Sequence, residues 1–133
     1  MNIHYISLQN QWEAEKKDLM PIIEKALSTG HYVNTTAEIT EEFEKKIAAL
    51  CNTKYAFTLN SGTDALFFAL YLLNVRRGDE VITVPNSFIA TTAVIVHLGA
   101  KPIFVDVGQD QNMDTNLLEK AITKKQKQCY RFI

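Results

Sequence analysis

The sequence predicts an α/β fold: two N-terminal helices followed by a βαβαβ core with parallel strands. Three observations carry this. Short β-rich runs, "YAFTL", "VITVP" and "PIFVDV", alternate with helical runs, "TDALFFALYLLNV" and "FIATTAVIVHLG". The strand runs are apolar on both faces, as parallel strands covered by helices on both sides must be. Before Lys54 the apolar residues instead recur at helical spacing, with charges between them.

In chain order, Trp12, Leu19, Ile23, Ala26 and Leu27 form a helical stripe between Gln11 and Thr29, with Gly30 placed as a stop. Pro21 lies inside this run, so the helix either begins near it or kinks there. "GHYVNTT" reads as a loop. Thr36 is placed to cap a second helix whose face is Ile39, Phe43, Ile47 and Leu50. Glu41, Glu42, Glu44, Lys45 and Lys46 then fall mostly on the outer, solvated face. "RRGDE" links the first βα unit to the next as a turn. Asp114 is placed to cap a last helix through "TNLLEKAITKK", which turns Leu117, Leu118, Ala121 and Ile122 inward.

At 133 residues the chain reads as one domain at most. An apolar fraction of 47% with 22% charged residues argues against both disorder and a membrane protein. A formal net charge of -1, with the basic residues scattered, gives no expectation of nucleic-acid binding. Cys51 and Cys129 lack C-x-x-C spacing and read as buried or idle thiols of a reducing compartment. "MNIHYISLQNQ" has neither the basic start nor the apolar run of a signal peptide, so the expected location is the cytoplasm.

The chemistry concentrates in "LNSGTDALFFAL". In an open parallel sheet ligands gather at the carboxyl ends of strands, where loops feed helix N-termini. A helix start offers free amides and the positive end of the helix dipole, which together hold a phosphate without a lysine. Gly62 permits close backbone approach, and the Ser61 and Thr63 hydroxyls are donors. Each hydrogen bond to a charged oxygen contributes about 1.5–3 kcal/mol. The plainer alternative is that Ser61 or Thr63 merely caps a buried helix. At the next strand end, "VPNSFIATTAV" sets Phe88 two residues beyond an Asn-Ser loop, where its ring could stack on a flat heterocycle or simply begin the core of its helix.

The order "NSGTDAL", "GDEVITVPNSFIATTAVIVHLGAKPIFVDV", "NMD" and "LEKAIT", together with "IHYISLQNQW" and "ALSTGHYV", resembles the N-terminal part of the DegT/DnrJ/EryC1/StrS aminotransferases. The resemblance implies the N-terminal portion of the pyridoxal-phosphate-dependent transferase fold of aspartate-aminotransferase type, incomplete here. Residues 1–125 would belong to its large domain. It implies pyridoxal 5'-phosphate as cofactor, a nucleotide-linked keto-sugar as substrate, an amino-acid donor such as glutamate, and a homodimer for full-length members. Carried over by residue, Gly62 and Thr63 hold the cofactor phosphate with Ser61 beside them, and Phe88 stacks on the pyridine ring. Asp64 reads as a partner of the helix dipole. Asp106 reads as structural or as a support for the site, since the family's pyridinium acid comes from a later strand.

The resemblance also marks departures. Asn34, Thr35 and Thr36 stand where members often carry a Gly-Pro or similar pair, which leaves the sugar open. His31 and Tyr32 receive no role, and His97 reads as a half-buried, satisfied histidine. The Schiff-base lysine of the family lies past Ile133, and Lys101, Lys120, Lys124 and Lys125 occupy the wrong segments to replace it. The expected catalytic residues of this chain are therefore none, and it is expected to be inactive alone.

Members continue after "AIT-K" with a sequence like K-T-K-A-(I/M/V)-(I/L)-P-V-H, whereas here the chain reads "KQKQCYRFI". Back-translation from the third base of the Lys124 codon contains K-T-K-A-M-L-P-V-H, so residues 126–133 read as a frameshifted tail produced by loss of one adenine. Two other readings stay open: a small non-catalytic α/β module that binds a phosphorylated ligand, and a fragment that associates with a full-length homologue.

Overall fold

The computed structural model describes residues 5–30, 38–124 and 126. Two compact units divide the chain, Met1–Thr58 and Leu59–Ile133. The Thr36 cap, the Asn34–Thr36 loop, His31, Tyr32, Cys129 and nearly all of the 126–133 tail lie outside the described residues.

In the first unit, α1 spans Leu8–Thr29 and α2 spans Glu38–Leu50. Gly30 ends α1 in the left-handed region at φ 71°, and its N–H donates to the carbonyls of Ala26 and Leu27, so it stops the helix as its position implies. The helix runs through Pro21 rather than starting at it. Lys17, whose carbonyl loses its N–H partner to the proline ring, is exposed. Neither helix fully buries a side chain, so the expected inward stripes of Trp12, Leu19, Ile23, Ile39, Phe43 and Leu50 stay open to solvent.

Residues 55–59, expected as the first strand, are irregular. β-propensity needs a ladder to act on, and "YAFTL" meets no strand among the described residues. Tyr55, Phe57 and Leu59 are accordingly exposed. The βαβαβ core is thus present here as its later part.

In the second unit, α3 spans Gly62–Leu72, β1 Glu80–Thr83, α4 Ile89–His97, β2 Lys101–Phe104 and α5 Thr115–Ala121. β1 and β2 pair in parallel, Glu80 opposite Lys101 and Thr83 opposite Phe104. The "RRGDE" turn closes as expected: the Arg76 amide donates to Asp79 Oδ2 at 2.8 Å, and Gly78 adopts φ 93°. Leu70, Val75, Val81, Val94, Ile95 and Ala100 form the core, with Leu66, Phe67 and Leu98 packed against it. Full burial of a side chain such as Leu70 or Ile95 stabilises the unit by roughly 1.5–3 kcal/mol each.

β1 is buried on both faces, but β2 is not, and Phe104 is half open to water. The burial on both faces expected of the strands therefore holds for β1 and not for β2. Asp114 caps α5 as its position implies, its Oδ1 accepting the Asn116 amide at 2.9 Å. α5 nevertheless buries no side chain completely: Leu118 and Ala121 are half-buried, while Leu117 and Ile122 are exposed. Thr123 Oγ1 donates to Glu80 Oε2 at 2.7 Å and ties the end of α5 to the start of β1. Among the described residues no helix is long and apolar enough to cross a membrane.

Candidate cofactor-phosphate site

The turn that opens α3 is built from short polar residues because each has a task there. Ser61 is extended, at φ -154° and ψ 160°, and its Oγ accepts the Asp64 amide at 3.1 Å. The first helical bond runs from the Ala65 amide to the Ser61 carbonyl at 3.0 Å. The amides of Gly62 and Thr63 precede that bond and have no backbone partner among the described residues. Asn60 Nδ2 donates to Asp64 Oδ2 at 2.7 Å, which occupies that carboxylate on the protein side. Ser61 thus does cap its helix, and its hydroxyl hydrogen remains a donor.

This turn fits a phosphate. A Cβ built on Gly62 meets no atom within 4 Å, so the backbone face is open to a close approach. Glycine at that point leaves two unpartnered amides uncovered, and the α3 dipole adds partial positive charge.

Phe88 stands beyond the carboxyl end of β1, at the N-cap of α4. An aromatic residue is a poor cap, and the Phe88 side chain makes no capping hydrogen bond. The residue is 76% exposed, so it does not begin the core of its helix. Ala90, Thr91, Val94 and Ile95 fill that role. The loop before it is held on both sides: Asn86 Nδ2 donates to Gln111 Oε1 at 3.0 Å, and the Ser87 and Thr91 hydroxyls lie 3.0 Å apart. α3 and α4 pack against one another, and the Ser61 turn and Phe88 each open one of them. Among the described residues no hydrogen bond joins the two.

Three other sequence readings meet their outcome here. His97 is exposed rather than half-buried, because α4 ends on it, and its ring lies 5.2 Å from that of Phe67. The two rings help line a groove of about 200 Å³ with Thr63, Asp64, Phe68 and Val94. Cys51 is a free, exposed thiol just past α2, not a buried one. Asp106 is exposed, and its carbonyl accepts the Asp114 amide at 2.9 Å, a structural role in the loop before α5.

Glu44 is the residue that the helical pattern misplaced. It is half-buried, unlike Glu41 and Glu42, and its Oε1 accepts both the Thr58 amide at 2.7 Å and the Thr58 hydroxyl at 2.9 Å. The two Thr58 donors, the backbone one first, hold the Glu44 carboxyl below its ordinary value. Local periodicity cannot reveal a partner 14 residues away.

The sequence pattern of the DegT/DnrJ/EryC1/StrS aminotransferase family matches residues 13–130. The chain belongs to that family. Among its relatives is the UDP-2-acetamido-2-deoxy-3-oxo-D-glucuronate aminotransferase of Pseudomonas aeruginosa, 38% identical over 126 residues, a match covering 94% of this chain and 34% of the relative. Among solved structures, S. venezuelae DesV in complex with a ketimine intermediate superposes with a TM-score of 0.86 at 33% identity, over 96% of this chain and 34% of that one. NtdA from Bacillus subtilis with bound cofactor PMP gives a TM-score of 0.81 at 33% identity, over 87% of this chain and 26% of that one. This DegT/DnrJ/EryC1/StrS chain thus spans between about a quarter and a third of the length of these relatives. Its fold is the N-terminal portion of the transferase fold they share.

Proposed function

We propose that this chain supplies the phosphate-binding and ring-stacking part of a pyridoxal 5'-phosphate site that serves transamination of a nucleotide-linked keto-sugar, with an amino acid such as glutamate as donor. The observation that carries this reading is the pair of unpartnered amides at Gly62 and Thr63, on an open backbone face, in a chain of this family. Gly62 and Thr63 bind the phosphate through N–H groups, and the Thr63 and Ser61 hydroxyls add donors. Phe88 orients the cofactor ring and excludes water from one of its faces. When bound, pyridoxal phosphate supplies an electron sink for charge that develops on the substrate carbon.

Residues 1–125 read as the N-terminal part of the large domain. No lysine of this chain is assigned a covalent role, so the chain alone is proposed to carry out no turnover. Borohydride reduction in the presence of pyridoxal phosphate tests this. Scattered labelling of surface lysines is expected, and stoichiometric trapping at a single lysine would overturn it.

The exposed apolar residues of both units favour a companion reading, in which the chain acts joined to a polypeptide that carries the rest of the fold. Co-expression with such a polypeptide is expected to raise soluble yield and cofactor binding together. An unchanged yield and unchanged binding would count against it.

A further inference from the structure

The approach to the Ser61 turn is held at two points by two carboxylates. The Asp64 carboxylate accepts the Asn60 side-chain amide from the helix side, and the Asp64 backbone amide donates to Ser61 Oγ. Glu44 holds Thr58, three residues before Ser61, through one oxygen that takes both of that residue's donors. Beside this clamp lies a groove of about 250 Å³ lined by Glu41, Glu44, Lys45 and Ala48 of α2 and by residues 54–57. The neighbouring acids behave differently: Glu41 and Glu42 reach exposed lysines one turn on, Lys45 at 3.7 Å and Lys46 at 2.6 Å.

A residue that merely solubilised α2 would not need both Thr58 donors. We propose that Glu44 is a positioning residue for the cofactor-phosphate turn, acting by ordering Thr58 so that the Leu59–Ser61 approach is restricted before the ligand arrives. The inference rests on the site assignment given under Proposed function. Its physical basis is preorganisation: a turn already ordered consumes less of the interaction free energy when phosphate binds. The chemistry also sets which substitutes work. Gln keeps an oxygen at the same reach with lone pairs for both donors, Asp falls one methylene short, and Ala removes the acceptor.

The test measures two quantities on the full 133-residue chain: the dissociation constant for inorganic phosphate, and amide exchange along residues 40–64 without ligand. Glu44→Ala is expected to weaken phosphate binding about tenfold and to speed exchange at Thr58–Ser61 while residues 40–50 keep their protection. Glu44→Gln is expected to restore both to within about twofold of the parent, and Glu44→Asp to resemble Glu44→Ala. Thr58→Val, which deletes one donor without touching α2, is expected to weaken binding about threefold. Parent-like affinity and exchange in Glu44→Ala would overturn the proposal, as would equal loosening of all α2 amides. If the parent chain binds no phosphate but Glu44→Ala still frees Thr58–Ser61, the ordering role stands and the cofactor reading falls.

Discussion

Ser61 and Asp64 close the first turn of α3: the serine Oγ accepts the Asp64 amide at 3.1 Å, while the Asp64 carboxylate takes the side-chain amide of Asn60 at 2.7 Å. Among the described residues the Gly62 and Thr63 amides of this turn have no backbone partner, so they can serve a ligand. Ser61→Ala deletes the acceptor and is expected to destabilise the second unit by about 1 kcal/mol, whereas Ser61→Gly costs only a few tenths. Urea unfolding followed by circular dichroism checks this, as a lower midpoint at unchanged slope.

Gly62 separates stability from binding. An added Cβ meets no protein atom and the residue is helical, so Gly62→Ala is expected to leave stability unchanged or to raise it by up to about 1 kcal/mol. In the proposed site the same methyl group would occupy the open face that a phosphate approaches. Calorimetric titration with phosphate is expected to show at least about a tenfold loss for Gly62→Ala and no measurable binding for Gly62→Val. Parent-like phosphate affinity in both variants would remove Gly62 from the site.

Phe88 is exposed enough that its loss should scarcely register in the fold. Phe88→Ala is expected to change stability by less than about 0.5 kcal/mol. Stacking of an aromatic pair contributes about 0.5–1.5 kcal/mol, so pyridoxal phosphate affinity should fall about three- to tenfold. Inorganic phosphate, which has no ring, should bind as before. Equal losses for both ligands would show that the substitution acts on the fold rather than on stacking.

The Glu44 clamp also has a pH signature. Thr58 lowers the Glu44 carboxyl in the folded chain, so the clamp's stabilising contribution is fully present above the unfolded-state value and is lost as pH falls through the lowered folded value. The surrounding titratable groups are Glu41 and Lys45 on α2 with Lys54 and Tyr55 opposite. Protection of the Thr58 amide, followed by exchange across acidic pH and corrected for intrinsic rate, is expected to be flat near neutrality and to drop on acidification. In Glu44→Gln it should lose that step. A step that persists in the Gln variant would assign it to another group.

Much of this was legible in the sequence, and the failures share a cause. Gly30, Asp114 and the "RRGDE" turn lie where local chemistry puts them, since a left-handed stop, a side-chain cap and an Asp-closed turn each depend on a few consecutive residues. The Ser61 cap was legible for the same reason. "YAFTL" was misread because a strand is a relation between segments, and no described strand pairs with it. Leu117 and Ile122 were expected inside because periodicity gives a face but not the surface that covers it. Glu44 was hidden among Glu41, Glu42, Lys45 and Lys46, and only the Thr58 contact separates it from them.

Amide exchange at Gly62 and Thr63, measured residue by residue while pyridoxal 5'-phosphate is added, tests the assignment of the α3 turn most directly. The account predicts saturable slowing at these two amides, with inorganic phosphate competing for the same protection. Unchanged exchange at both, at cofactor concentrations that already modify surface lysines, would contradict it.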